Sequence, residues 1–480
     1  LKKKFLKNLA LLVFLNLLIK PFWVFAIDRS VQNDVGSSEY GLYFSLFSLS
    51  LIFNIILDLG ITNFNNRNLS RDPSQIKEYL PNIVVVKILL GIAYTIISVS
   101  VALALGYEPR QMTLLLVLIL NQFLSSFLLF LRSNISGLQF YTTDSFLSVI
   151  DRCIMIILCS LALWGNVAGQ PLKIEWFVYI QSVSYLLAIL VVFMVLMMKV
   201  KQLVFRWNWK KMMEIIRQIG PFALLGLLMS VYTRTDSVLL ERLLPDGRTQ
   251  AGIYAQSFRI LDALSNFSLL FATLLLPMFS RLLATKDDLV PLLKTSFALM
   301  FLMCITASLT CFAYSGPIIK ALYHEGDSYS ASVFSILILS FIPASASYIF
   351  GTLLTANGNL KLLNITAGIS VILNIAMNIV LIKSFMAVGA AVANLATQWL
   401  VAIVQIVICL RVWKLKLNRK EVVRYTSFLL LALFILWVSL RVSGPWLIRF
   451  CSALASIGLA GLFIGILPVK QFLKSYRITG

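Results

Sequence analysis

The feature that constrains this chain most is a recurrence. Stretches of ~20 apolar residues, enough for a helix to cross a ~30 Å hydrocarbon layer, can be laid down about fourteen times along its 480 residues. They fall near 9–27, 41–62, 82–105, 112–131, 146–165, 174–198, 219–240, 251–280, 291–315, 331–355, 361–382, 386–410, 425–442 and 446–467. Inside lipid every backbone N–H and C=O must be paired within its own segment, so each stretch reads as an α-helix. The fold class expected is an all-α polytopic membrane protein with about fourteen transmembrane helices. Composition agrees: 59% of residues are hydrophobic and 13% charged, with a mean hydropathy of +0.89. No soluble domain of this length carries so little polar surface. Little chain is left over for one.

The formal net charge of +21 invites a nucleic-acid reading, which its distribution opposes. With the N-terminus inside, about 27 Lys and Arg fall in inside segments against about 9 outside. The clusters are Lys2-Lys3-Lys4-Lys7, Lys199 to Arg217, Arg411 to Arg424 and Lys470 to Arg477. This is a topology signal and an attraction to anionic membrane lipids. Nucleic acid is therefore not an expected partner. Both termini are expected to face the cytoplasm. The first span is too long and too well flanked to be expected as a cleaved signal peptide. All six cysteines lie in apolar spans without a CxxC pair, and the single His324 has no second imidazole beside it, so neither a disulfide framework nor a metal is expected.

The second half of the chain opens on a segment that resembles the first. Tyr40-Gly41-Leu42-Tyr43 follows the first span, and Ala251-Gly252-Ile253-Tyr254 follows the seventh; Arg67 and Arg281 sit at nearly equal distances downstream. Turns are expected at 35–43 and at Pro245-Asp246-Gly247 running on to Tyr254. The implied organisation is an N-terminal six-helix bundle (1–198) and a basic linker on the membrane surface (199–218). A second six-helix bundle (219–413) and two additional helices with a tail (414–480) complete it. Equal halves that begin on the same side of the membrane form a parallel repeat, an arrangement common in transporters.

Charge inside these spans marks the candidate site. A charged residue at mid-membrane costs about 2.5–3.5 kcal/mol on insertion scales, so several together need a reason. Arg259 and Asp262 are three apart on one helix face and can pair. Arg234 and Asp236 are two apart and point to different sides, so each requires another partner or water. Lys20 precedes Pro21, which should kink the first helix, and Trp23 stands where an interfacial aromatic would. Asp58 ends the second span. Lys87 and Arg152 lie near helix ends and are expected to snorkel. Lys20, Arg234 and Arg259 are the candidate substrate-binding cations; Asp58, Asp236 and Asp262 are candidate cavity or ion-coupling carboxylates. The bland alternative is an ion-pair network that knits helices together. Tyr232, Tyr254 and Gln256 could offer hydrogen bonds to sugars. No HExxH, Walker glycine loop or GxSxG is present, so an enzyme is not expected and no cofactor is implied.

Val35-Gly36-Ser37-Ser38-Glu39-Tyr40-Gly41-Leu42-Tyr43, followed by Leu57-Asp58-Leu59-Gly60-Ile61, resembles the first-hairpin pattern of polysaccharide-biosynthesis flippases. These belong to the multidrug, oligosaccharidyl-lipid and polysaccharide (MOP) exporter superfamily. Ala251 to Arg259 is similar to the matching second-half segment. The resemblance implies two pseudo-symmetric six-helix bundles around a central cavity, plus two extra helices, working by alternating access. The implied substrate is a polyprenyl-pyrophosphate-linked oligosaccharide for surface polysaccharide, moved from the cytoplasmic to the periplasmic leaflet. Glycan polymerase and glycosyltransferases of the same pathway would be partners. Basic cavity residues would be Lys20, Arg234 and Arg259, by position. A peptidoglycan lipid-precursor flippase and a cation-coupled multidrug exporter are the alternatives.

Overall fold

The computed structural model describes residues 14–16, 18–165, 172–200, 209–415 and 418–467, with backbone alone at Arg71, Glu78 and 209–222. The basic clusters at both ends and most of the aromatic-basic linker core lie outside the described residues or their side chains. Every regular element among those described is helical.

Among the described residues, eleven helices are long and apolar enough to cross a membrane, and the bent pair Phe14–Ile52 with Asn54–Ser70 adds a twelfth span. Two of these units are each two spans joined by a single distorted residue. Gly36 (φ 81°, ψ 165°) interrupts the helix that ends at Ile52, and Met386 (φ 52°, ψ −130°) interrupts the 53-residue helix Leu360–Val412. Counting each side separately gives fourteen helices, matching the hydropathy reading. We label them α1 (18–35), α2 (37–52, continuing bent to Ser70), α3 (Tyr79–Ala104), α4 (Pro109–Gly137), α5 (Tyr141–Trp164), α6 (Ile174–Lys199) and α7 (Trp209–Leu243). The series continues with α8 (Gly247–Thr285), α9 (Val290–Ala313), α10 (Ser328–Ala356), α11 (360–385), α12 (387–412), α13 (Arg419–Arg441) and α14 (Trp446–Phe463).

The turns are tighter than expected. The loop foreseen at 35–43 shrinks to Gly36, because a glycine at positive φ can reverse the chain in one residue. Ala251-Gly252-Ile253-Tyr254 lies in the first turns of α8, not in a turn. Hydropathy reads such polar helix ends as loops. At Met386 the amide freed by the break, that of Ala387, donates to the Tyr329 hydroxyl at 3.0 Å.

The chain divides into two compact units, residues 1–255 and 256–480. In the first, α1 carries a π-helical stretch, Trp23–Asp28, just after Lys20-Pro21. The proline's missing N–H and ring distort the helix, and π-turns of this kind concentrate at functional sites. Trp23 is not an interfacial anchor. It is 8% exposed, stacks on Phe177 of α6 (6.0 Å, 9°) and lies under the Arg152 guanidinium at 5.5 Å. In the second unit, Gly461 of α14 admits Leu302 of α9, whose Cδ1 would lie 2.2 Å from any Cβ placed there. Gly465, four residues on, falls beyond the helix at φ 75°.

Candidate functional site

At the face assigned to the outside by the charge bias, the first unit is knit by backbone contact and by ions. The two matching tetrapeptides meet there. A Cβ on Gly41 would sit 1.8 Å from the Arg248 carbonyl oxygen and 2.5 Å from the Gly252 nitrogen; one on Gly252 would sit 1.9 Å from the Ser37 carbonyl oxygen. Only glycine permits that approach of α2 to α8. The Gln32 side-chain amide donates to the Gly252 carbonyl at 3.0 Å, which ties α1 into the same crossing.

Ion pairs surround the crossing. Arg110, at the start of α4, grips Glu39 of α2 with both terminal nitrogens (3.0 and 2.6 Å) and Glu175 of α6 through Nε and one terminal nitrogen (2.9 and 2.7 Å). The Glu39 pair is a two-pronged fork, the strongest geometry available to a guanidinium and a carboxylate; at Glu175 both nitrogens share the one oxygen Oε1. Arg248 reaches Glu108 at 3.1 Å, and Asp34 accepts the Leu172 amide at 2.9 Å. Behind them Gln111 donates to Glu241 (2.7 Å) and accepts from Arg242 (2.9 Å). Arg242 lies over the Tyr107 ring at 3.8 Å. Burial, reinforced by the Glu241 carboxylate, holds the Tyr107 phenol above its ordinary range, and the neighbouring Arg242 opposes this. A cleft of about 680 Å³ opens beside Asp34, Glu39, Arg110, Lys173 and Glu175.

Deeper in the unit the polar groups are enclosed. Asp236 is fully buried and accepts the Tyr254 hydroxyl at 2.7 Å, while Asp28 accepts the Tyr40 hydroxyl at the same distance. α2 loosens into a 3-10 turn at Asn54–Leu57, and Leu59 and Gly60 take positive φ before the helix resumes at Ile61. Into this break Lys87 of α3 inserts its ammonium. Nζ donates to the Leu57 carbonyl (2.9 Å), the Asp58 carboxylate (2.6 Å) and the Ser126 hydroxyl of α4 (3.0 Å). The Thr62 hydroxyl and amide also donate to Asp58. Asn54 bonds Gln122 at 2.7 Å one turn away.

A model built for polysaccharide biosynthesis proteins matches residues 6–283, more than half of the chain. The chain belongs to the polysaccharide biosynthesis protein family. None of the curated proteins matches it in sequence. Among solved structures this family member resembles the lipid II flippase MurJ in an inward closed conformation, with a TM-score of 0.73 and 14% identity, over 97% of this chain and 99% of that one. An inward-facing multidrug resistance MATE transporter of the MOP superfamily aligns with a TM-score of 0.62 and 13% identity, over 80% of this chain and 93% of that one. The eukaryotic MATE transporter AtDTX14 gives 0.60 and 16%, over 84% and 95%. At such identities the likeness is one of fold. It is the fold of a MOP-superfamily transporter, and the structures sharing it are a flippase and exporters.

Against that fold the site residues of this polysaccharide biosynthesis protein can be placed. At 1.5 Å per residue, Arg234 lies about 14 Å from the Leu243 end of α7, and Arg259 about 18 Å from the start of α8. Both are half-buried and well inside their spans; Lys20 is half-buried too, but near the start of α1, about 22 Å from its far end. Arg259 and Asp262 belong to the second unit and Arg234 and Asp236 to the first. Asp236 takes its partner from Tyr254 of the next helix. Tyr254, Tyr232 and Gln256 are 1%, 3% and 1% exposed, so they are internal braces and offer no surface to a sugar. Lys87 does not snorkel: it is 1% exposed and spent on the α2 break. Sequence reasoning saw one lysine a turn into a helix, a position where snorkelling costs nothing. Its true partners lie 30, 29 and 39 residues away, which no local pattern reveals.

Proposed function

We propose that this protein is a flippase that carries a polyprenyl-pyrophosphate-linked oligosaccharide from the cytoplasmic to the periplasmic leaflet by alternating access, for O-antigen- or capsule-type surface polysaccharide. The observation that carries the reading is a set of three half-buried cations, Lys20, Arg234 and Arg259, within membrane-spanning helices of a polysaccharide biosynthesis family member. Burying one unpartnered polar group costs roughly 2–7 kcal/mol, so an oligosaccharide headgroup does not cross lipid unaided. Arginine binds phosphate oxygens through a two-pronged fork, which suits the pyrophosphate. The second unit contains an apolar cavity of about 560 Å³ lined by Phe267, Phe271, Leu299, Met303, Leu454 and Gly458. Its lining suits part of a prenyl tail.

The test is export of surface glycan alongside the amount of protein in the membrane. Arg234→Ala should abolish export with protein level unchanged, and Arg234→Lys should restore only part of it, because an ammonium keeps the charge and loses the fork. Full export from Arg234→Ala would sink the assignment. For Arg259 a double-mutant cycle with Asp262 separates roles: full export from the double variant, with loss in each single one, would make that pair structural. A peptidoglycan lipid-precursor flippase is the second reading, favoured by the end-to-end alignment with the lipid II flippase, which includes α13 and α14. Rescue of cells lacking their lipid II flippase would select it.

A further inference from the structure

We infer that the break in α2 is a cage for a monovalent alkali cation, occupied in this chain by the ammonium of its own Lys87. A helix that unwinds inside a membrane exposes carbonyl oxygens, and such oxygens can coordinate ions where they line a protected site. Here the unwound turn Asn54–Leu57 presents the Leu57 carbonyl. The Asp58 carboxylate and the Ser126 hydroxyl complete a set of three oxygens at 2.6–3.0 Å from one point. The three donors of an ammonium match three acceptors, and Nζ stands at that point with Lys87 1% exposed. An ammonium and a potassium ion are close in radius and carry the same charge, so the cage would hold either.

The surroundings fix the oxygens independently of the lysine. Thr62 holds Asp58 through its hydroxyl and amide, Ser126 also donates to the Leu57 carbonyl at 3.2 Å, and Asn54 with Gln122 braces the turn from the other side. Removing the side chain therefore leaves a preformed, singly negative pocket. In the native chain the tethered cation cannot leave. The cage then joins α2, α3 and α4 permanently, and no transported or coupling ion enters at this position.

The experiment uses the purified full chain in detergent and follows unfolding temperature in potassium, sodium or choline chloride at constant ionic strength. Lys87→Ala should be destabilised in choline and regain several degrees in potassium or sodium. The unaltered protein should show no preference among the three salts. Asp58→Asn/Lys87→Ala, which removes the charge on both sides, should also show none. Equal behaviour of Lys87→Ala in all three salts, or the same alkali preference in the unaltered protein, would overturn the inference. So would a Lys87→Ala chain that cannot be purified in any salt while the double variant can, since the cation would then not replace the ammonium. The readout involves no glycan, so its failure is distinct from failure of the flippase reading.

Discussion

Two regions of the first unit are rich in polar contacts, and they are built on opposite principles. At the face with the α1–α2 turn, the bonds join the early helices (α1, α2, α4, α6) to one another and to the ends of α7 and α8. Many of them are exposed: Arg110 and Glu39 are 47% and 36% exposed, Arg248 and Glu108 38% and 69%. Exposed pairs are screened by salt and individually worth ~0–1 kcal/mol. In the α2 break the bonds join only α2, α3 and α4, and the ammonium at their centre is sealed off. Separating those groups would leave a buried charge unpaired, at a cost of ~3–5 kcal/mol. One region can open at modest cost. The other holds three helices as one body. The alternating access proposed above would draw on both properties, a rigid bundle and a face that can be released.

The largest expected effect tests the closure. Gly252→Val places branched carbons where the Ser37 carbonyl already lies within 1.9 Å of a Cβ, so α2 and α8 cannot meet. Export should be lost with the protein still inserted. A cysteine at Ser37, which is 4% exposed, should become reactive to a membrane-impermeant maleimide in this variant. Unchanged export and an unreactive Ser37→Cys would show that the crossing plays no part in closure.

Next comes the rigid region. Asp58→Ala leaves the Lys87 ammonium buried without its counter-charge, and should destabilise the purified protein by ~3–5 kcal/mol. Asp58→Asn keeps an acceptor and should cost less. If Asp58→Ala unfolds at the same temperature as the unaltered chain, the two regions do not differ in the manner argued.

These contrasts were unevenly legible in the sequence. The fourteen spans were plain, because a helix in lipid must be apolar for ~20 residues whatever its neighbours are. The Gly41 and Gly252 tetrapeptides were visible as a repeat, yet their mutual contact was not, since it joins residues 211 apart in the chain. The need of Asp236 for a partner outside its own helix could be read from the two-residue spacing to Arg234; that the partner is Tyr254 could not. Trp23 and Lys87 misled for one reason. Both stand near a span end, where composition alone cannot tell a side chain that turns to the interface from one that turns to a neighbouring helix.

A middle-sized effect should come from the layer beneath the exposed pairs. Gln111 is 2% exposed and bridges Glu241 to Arg242. Gln111→Leu removes both bonds, and the one its side chain accepts from the Glu108 amide at the start of α4, and should cost ~1–3 kcal/mol, the penalty for stranding buried polar groups. Unfolding temperatures at low and high salt should fall by similar amounts, because buried groups are poorly screened. A loss that vanishes at high salt would move this layer into the exposed class.

The smallest effect is expected at Arg110, although its hydrogen bonds are the most numerous in the region. It joins α2, α4 and α6 through Glu39 and Glu175, so a count of bonds would make it the keystone. Exposure argues otherwise. Water and counter-ions compete for all three groups, and holding long side chains in one geometry costs entropy. Arg110→Ala should therefore change stability by only ~0–1 kcal/mol at moderate salt, with the difference shrinking further as salt rises. Its ion pairs reach neither α7 nor α8, so its loss does not loosen the α2–α8 crossing and export should stay unchanged. Lowered export with normal protein levels would instead assign Arg110 to the path of the substrate, and the cleft beside Asp34 and Lys173 would become part of that path.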